Sequence, residues 1–251
     1  MRLFFIAALL LSLHACEIRK QPDDVLKLKN HADEDTQEQT SGDSFKGCPP
    51  EGSPGSDTRM NLLKNRNTAP ESYQPWEIAD LLTLNPEALI DADDTPRSKW
   101  KESALQTASD YESQGISIEG YLLYARQSGV ESCNCKREDL RDWHVWIGVD
   151  QPTSLQEGKR MRKNSIVVEP TPRWQERMGW RLRHLKKLAK QSVKIRISGW
   201  LLWDQEHPEE LPENKGENAT RGTRWEIHPV TKIEIYSSGS WMELKDMDFE
   251  E

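Results

Sequence analysis

The chain has 251 residues and a formal net charge of −8 at neutral pH. This acidic balance disfavours a general nucleic-acid binder, which needs an excess of basic residues on its surface. The charge is uneven, however, because basic residues far outnumber acidic ones between residues 156 and 200. A local anion-binding surface therefore remains compatible with the composition.

The N-terminus has the composition of an export signal. Arg2 precedes an apolar run that ends before Cys16, and this run is shorter than the roughly twenty residues that a membrane-spanning helix needs. Residues 13–16, LHAC, resemble the bacterial lipobox, which implies that residues 1–15 are removed and that Cys16 is acylated. We therefore expect a lipoprotein on the outer membrane or on the periplasmic face of the inner membrane. The alternative is an ordinary signal peptide that is cleaved nearby.

The mature chain begins with a polar segment and contains three further cysteines. Residues 16–46 have few apolar side chains, which predicts a lipidated flexible linker. Export favours a disulfide from Cys48 to Cys133 or to Cys135. A metal site that uses Cys133, Cys135 and one or more histidines, or free thiols, are the alternatives.

The folded body divides into a helical and a β-rich part. Residues 47–115 are predicted to form a short helical extension. The period of the apolar residues then changes from about 3.6 to 2, which predicts a β domain over residues 116–244. Its five strands are expected at residues 116–126, 143–149, 164–169, 192–203 and 221–236.

The order of these elements favours one fold class. A single amphipathic helix over residues 172–190 is predicted between the third and fourth strands. Three strands, a helix and two strands is the element order of the OB-fold, a five-stranded Greek-key barrel. We therefore predict a mainly β protein with an OB-like barrel. Another small barrel or a split sandwich has a similar composition.

Several stretches of the body also resemble a family of bacterial exported proteins. They include DWHVWI, VVEPTPR, SGWLLWDQEH and RWEIHPVTKIEI. The resemblance implies export and an OB-like fold, and it implies no particular activity.

Polar residues on the strands predict a ligand site. Alternation places His144 and Trp146 on the outer face of the second strand, and Glu226 and His228 on the outer face of the fifth. The ligand-binding candidates are His144, Trp146, Asp204, His207, Glu226 and His228. Among them, His144, His207 and His228, with nearby carboxylates, are candidates for a divalent metal site. No other cofactor is predicted.

Basic and aromatic residues suggest how a polymer would bind. A basic patch is predicted in the hairpin between the second and third strands, consisting of Lys159, Arg160, Arg162 and Lys163. Trp146 and Trp200 have the parity of stacking platforms, which OB-folds use for single strands and sugars.

Three classes of function follow from these features. The first is a lipid-anchored binding module for a single-stranded nucleic acid, a glycan or a protein partner. The second is a metal-dependent hydrolase or nuclease that uses outward-facing histidines. The third is a structural subunit of an envelope complex. The sequence has no H-E-x-x-H or G-x-S-x-G motif that would identify an enzyme class directly.

Overall fold

The computed structural model describes residues 43–92 and 95–249. The predicted signal peptide, Cys16 and the linker up to residue 42 lie outside the described residues. Within the described ranges, no helix has both the length and the apolarity needed to cross a bilayer.

Eight α-helices are present in the described part of the chain, and most of them are short. They are α1 (Thr58–Lys64), α2 (Ile78–Thr83), α3 (Glu87–Ile90), α4 (Glu102–Glu112), α5 (Leu155–Met161), α6 (Pro172–Arg177), α7 (Leu182–Lys190) and α8 (Pro212–Lys215). The single helix predicted over residues 172–190 is two helices, α6 and α7. Gly179 separates them because it adopts a left-handed conformation, with φ of +64°, which an α-helix does not accommodate.

The described residues form seven strands in one mixed sheet. They are β1 (Gln74–Trp76), β2 (Gly115–Gln127), β3 (Trp143–Gly148), β4 (Ser165–Val168), β5 (Lys194–Trp203), β6 (Trp225–Ser237) and β7 (Ser240–Glu243). Five of them, β2 to β6, lie where strands are predicted. The fold is therefore mixed α/β rather than mainly β. The strands β1 and β7 were not predicted because three or four residues are too few to show an alternating pattern.

The pairing of the strands is nearly circular. β2 pairs with β3 on one side and with β5 on the other, β3 pairs with β4, and β6 pairs with β5. β6 also meets β4 through a parallel ladder of only two residue pairs, Val167 with Glu226 and Val168 with Ile227. β1 pairs with β2, and β7 pairs with β6. Because the β4–β6 ladder is so short, the sheet is not a regular closed barrel.

The two faces of β3 contribute to different clusters of buried side chains. Trp143, Val145 and Ile147 belong to the main core, which α4 and α7 also line. Trp146 packs with Leu123 and Val167 in a smaller cluster on the other face. His144 therefore lies on the face of β3 opposite to the main core.

A disulfide joins Cys48 to Cys135, which is one of the two pairings expected from the sequence. Cys133 is a buried free thiol. Cys135 is therefore not available as a metal ligand beside Cys133, which corrects the hypothesis of a metal site that uses both.

Candidate metal centre

Six acidic and histidine side chains meet where β3, β4 and β6 come together. We call them the acid–histidine cluster: Glu131, Asp142, His144, Glu169, Glu226 and His228. The strand register explains the convergence. Val145 pairs with Val168, and Val168 pairs with Ile227. Glu169, the residue after β4, therefore lies between His144 on β3 and His228 on β6.

The Glu169 carboxylate connects the two histidines. Its Oε1 atom lies 3.3 Å from His144 Nε2, and its Oε2 atom lies 3.4 Å from His228 Nδ1. The backbone fixes this position, because Glu169 N donates to Ile227 O and Val230 N donates to Glu169 O. One carboxylate thus presents one oxygen to each imidazole.

His228 is fully buried among carboxylates without forming a hydrogen bond to them. Its Nε2 atom lies 3.6 Å from Asp142 Oδ2, and its Nδ1 atom lies 3.5 Å from Glu226 Oε2. These separations exceed ordinary hydrogen-bond distances, and neither ring nitrogen has a hydrogen-bond partner among the described residues. Buried polar atoms are rarely left unsatisfied, so His228 requires an explanation.

The electrostatics of the cluster favour a bound cation. Burial raises the pKa of Glu169 well above its usual range, and the negative charges of Glu226 and Glu131 raise it further. Burial and the charge of Glu131 likewise raise the pKa of Asp142. Carboxylates that are buried beside one another repel, and proteins relieve such repulsion with protons, cationic side chains or metal ions.

Glu131 is the member of the cluster nearest to solvent, with 18% of its side chain exposed. Burial opposes its ionisation, but the nearby His144 ring, 3.8 Å away, and the charge of Lys64 hold the pKa of Glu131 well below the usual range. Glu131 is therefore an ionised carboxylate at the solvent side of the cluster.

The ligand atoms are spaced as those around a metal ion are. Three overlapping groups of side chains have this property, and within each group the ligand atoms lie within 4.8 Å of one another. The groups are Glu131 with Cys133 and Asp142, Glu131 with His144 and Glu169, and Asp142 with Glu169 and His228. Two ligands at about 2.1 Å from an ion in a tetrahedral arrangement are roughly 3.4 Å apart. The Glu169–histidine distances match this value, and these groups could hold a metal ion.

A second set of ion pairs supports the cluster from one side. The Nη1 atom of buried Arg221 lies 2.6 Å from Asp204 Oδ2 and 2.9 Å from Glu226 Oε1. His207 Nδ1 lies 2.7 Å from the same Asp204 oxygen. Although burial opposes the change, Arg221 holds the pKa of Asp204 well below its usual range. Asp204 likewise raises the pKa of His207 to about 9 against the effect of burial.

His207 was a metal candidate from the sequence, and the structure does not place it with the other two histidines. It belongs to none of the three groups found among the described residues. Its contact with Asp204 makes it an ion-pair partner. Asp204 in turn orients Arg221 against Glu226, so Asp204 and His207 act on the cluster through Arg221.

The expectation that the candidate residues face solvent is wrong. His144, Trp146, Glu226 and His228 are all buried. The loop after β5 covers part of this face, since Trp146 Nε1 donates to Thr220 O. Trp146 and Trp200 are therefore not open stacking platforms, and the guanidinium of Arg66 lies 4.6 Å from the centre of a Trp200 ring.

The predicted basic patch lies on a helix rather than in a hairpin. Lys159 and Arg160 are in α5, and Arg162 and Lys163 follow it in a short 3-10 helix. The helix begins at this point because the Ser154 side chain accepts a hydrogen bond from Glu157 N. Lys163 is paired with Glu217, whereas Arg160 is exposed.

Sequence reasoning missed four residues that form this region: Glu131, Asp142, Glu169 and Arg221. Asp142 directly precedes the strand that begins at Trp143, and Glu169 directly follows Val168. An acidic residue at the end of a strongly apolar strand was the pattern that could have revealed both. Glu131 and Arg221 lie in loops and give no comparable pattern.

No protein-family model, curated protein or solved structure matches the chain. The chemistry of the site therefore rests on the distances, burial and charges described above.

Proposed function

We propose that the protein is a divalent-metal-dependent hydrolase whose ion is held by the acid–histidine cluster. The observation that carries this proposal is His228, which is buried between Asp142, Glu169 and Glu226 and has both ring nitrogens without hydrogen bonds. An imidazole in this environment is explained when one nitrogen binds a metal ion and the other donates to a carboxylate.

Glu169 belongs both to the group of Asp142 and His228 and to the group of Glu131 and His144, and we propose one ion in each group, the first satisfying His228 and the second being catalytic. The second group includes Glu131, the member of the cluster nearest to solvent, whereas Asp142, Glu169 and His228 are buried together. Nitrogen and oxygen donors of this kind suit Zn²⁺ or Mn²⁺ better than Ca²⁺. A divalent ion at such a site supplies Lewis acidity and a water that ionises near neutral pH.

Several features favour hydrolysis over a simple binding module. An OB-type module binds polymers through open aromatic rings, but Trp146 and Trp200 are buried. Buried carboxylates with raised pKa values are common at catalytic sites, where the environment is arranged to shift them. The number of acidic groups in this cluster is also larger than a structural ion pair needs.

We further propose that the sheet is an OB-like barrel at the cell envelope. The support is the order β2-β3-β4-β6-β5, with β2 also pairing with β5 and with a parallel contact between β4 and β6. The envelope location depends on the predicted acylation of Cys16, which would tether the site near a membrane surface.

Metal analysis of the full-length protein tests the proposal. The protein is stripped with a chelator and titrated with Zn²⁺ and with Mn²⁺, and the bound metal is counted by elemental analysis. Glu169→Gln should weaken metal binding by at least about tenfold, because it removes a proposed ligand whose carboxylate contacts both histidines. Glu213→Gln, the same change at an exposed position of α8, is the matched control and should leave metal binding near the wild-type value.

The thermal stability of the stripped protein separates a metal ligand from a structural residue. Glu169→Gln should leave the stability of the stripped protein near the wild-type value, because the raised pKa of Glu169 favours its uncharged form, which glutamine resembles. It should also abolish the increase that metal gives to the wild type. A wild-type protein that binds neither ion would refute the metal site, and metal binding without cleavage of any ester would refute the hydrolase.

A further inference from the structure

Exposed Arg126 and half-buried Arg162 lie beside the acid–histidine cluster, and neither forms an ion pair with a described carboxylate as buried Arg97 and Arg221 do. Arg126 on β2 is directly opposite His144 on β3. Its guanidinium carbon lies 5.5 Å from the centre of the Trp146 ring, and that of Arg162 lies 5.0 Å from the same ring. Two cations thus lie against the Trp146 ring, next to His144.

These two guanidinium groups lie near the same ring, and Glu210 is a carboxylate whose charge partly compensates that of Arg162. In residues 43–92 and 95–249, no ion pair joins Arg126 or Arg162 to a carboxylate, whereas Arg196, which also covers an aromatic ring, pairs with Glu119. Burial lowers the pKa of Arg162, and the positive charge of Arg126 lowers it further. Like charges at this separation repel, and a bound anion would relieve the repulsion.

Lys159 adds a third positive charge to the same place. Its Nζ atom lies 5.0 Å from the centre of the Tyr124 ring, and the Arg162 guanidinium lies 5.5 Å from that ring. Tyr124 in turn packs against Trp146, with 5.5 Å between the ring centres. Three cationic side chains therefore lie against two aromatic rings that contact each other.

We propose that Arg126 and Arg162 form a receptor for a phosphate group of the substrate, beside the metal in the acid–histidine cluster. This inference rests on the proposed function and specifies its substrate class as a phosphate ester. Two planar guanidinium groups can each donate a pair of hydrogen bonds to phosphate oxygens, which a carboxylate-lined metal site alone cannot do. In the hydrolysis, the oxygen of water forms a bond to phosphorus, the ester P–O bond breaks, and a proton from the water passes to the leaving oxygen.

The contact between Arg126 and His144 links the anion site to the metal site. Arg126 Nη2 lies 3.4 Å from His144 Nδ1, and because a guanidinium only donates, Nδ1 must accept. A metal ion on Nε2 requires the tautomer with its hydrogen on Nδ1, which cannot accept this bond. Metal binding therefore releases Arg126, and phosphate should bind more tightly to the metal-loaded protein than to the stripped one.

Binding of inorganic phosphate to the full-length, Mn²⁺-loaded protein tests the inference by calorimetry. The double variant Arg126→Gln with Arg162→Gln should weaken phosphate binding by at least about tenfold, as expected for losing charged hydrogen bonds. It should bind Mn²⁺ at least as tightly as the wild type, because Arg126 no longer competes for the hydrogen position on the His144 ring. Arg160→Gln is the matched control, because Arg160 is an exposed arginine in α5, two residues before Arg162. Near-ultraviolet circular dichroism reports whether Trp146 keeps its environment.

The outcomes separate this inference from the proposed function. Equal phosphate binding by the wild type and the double variant, or no phosphate binding by the Mn²⁺-loaded wild type, overturns the receptor even if metal binds. If the double variant does not fold, the variant Arg126→Lys with Arg162→Lys replaces it, because it keeps both positive charges. A phosphate affinity unchanged from the wild type would then overturn the role of the planar guanidinium groups. Failure of the wild type to bind either Mn²⁺ or Zn²⁺ refutes the metal site, and phosphate binding to that protein still decides the receptor.

Competition distinguishes the sources of the phosphate. A dinucleotide that displaces phosphate from the wild type, but not from the double variant, supports a nucleic-acid substrate. Displacement by vesicles that contain an anionic phospholipid supports a lipid headgroup.

Discussion

Arg97 and Glu112 form a buried ion pair with two parallel hydrogen bonds. Arg97 Nη1 donates to Glu112 Oε2 at 2.6 Å, and Nη2 donates to Oε1 at 2.5 Å. Both side chains also bond the backbone of Trp203, the last residue of β5, through Trp203 O and Trp203 N. The pair therefore attaches α4 to the end of β5, next to Asp204.

Removing one charge of this pair should be strongly destabilising. Glu112→Gln would leave Arg97 as an uncompensated buried charge, and the expected loss of unfolding free energy is about 3–5 kcal/mol. Chemical denaturation measures this loss. Glu102→Gln, at an exposed position of the same helix, is the control and should change stability by less than about 0.5 kcal/mol. Equal values for the two variants would show that the pair contributes nothing specific.

The disulfide should stabilise the protein by closing a long loop. Cys48 and Cys135 are 87 residues apart, and replacing both with serine should cost roughly 2–4 kcal/mol. Peptide mapping without reduction should find Cys48 linked to Cys135 and Cys133 as a free thiol. A Cys48–Cys133 linkage would contradict the structure and would also remove the thiol from the neighbourhood of Asp142.

The ion pair between His207 and Asp204 should make stability depend on pH. The pKa of His207 is about 9 in the folded protein, against 6.5 for the ordinary side chain. A raised pKa contributes stability that is fully present below about pH 6.5 and is lost as pH rises toward 9. The loss should be on the order of 1–2 kcal/mol, because 32% of the side chain is exposed and solvent screens the pair.

Thermal unfolding across this range measures the effect as a difference between wild type and His207→Gln. The gap between the two proteins should shrink as pH rises from about 6.5 to 9. A constant gap would show that His207 does not titrate in this interval.

The aromatic cluster at Trp225 should contribute much of the stability of the core. Its ring lies 4.9 Å from that of Trp203 and 5.1 Å from that of Tyr111, and Nε1 donates to Leu84 O. Trp225→Ala should cost about 3–5 kcal/mol by leaving a large cavity. Trp241→Ala, at a half-buried position on β7, should cost roughly 1 kcal/mol. Urea denaturation that gave the reverse order would contradict the assigned core.

The predicted lipid anchor can be tested directly. Cys16→Ala should remove labelling by a radioactive fatty acid and should move the protein from the membrane fraction to the soluble fraction, because one cysteine carries the predicted acylation. A wild-type protein without label, with membrane retention equal to that of the variant, would contradict the prediction.

The strands could be predicted because alternation survives wherever one face is buried. Trp143, Val145 and Ile147 show it clearly, and their neighbour His144 was assigned to the other face for that reason. The same alternation assigned Glu226 and His228 to the outer face of the strand that is β6. What it could not show is that loops cover this second face, since burial of a polar face depends on segments that are distant in the sequence.

The centre of the site was beyond sequence reasoning for a related reason. Glu169 ends the predicted third strand, but residues 166–168 before it are all apolar and show no alternation that would assign its face, yet it touches both histidines. Only the parallel contact between Val168 and Ile227 brings His228 to it. The basic patch was misplaced because the capping contact of Ser154 with Glu157 was not recognised, and a helix replaced the expected hairpin.

The acid–histidine cluster draws its members from residue 131 to residue 228, and β6 supplies the last two. A chain that ends before β6 lacks Glu226 and His228, and its β4 has no partner on that side. Because metal binding is coupled to folding, the complete site exists only after β6 has docked. Under the proposed function, metal acquisition would be a late event in the maturation of this chain. For a protein that is exported unfolded, the compartment in which β6 docks determines which metal the site receives.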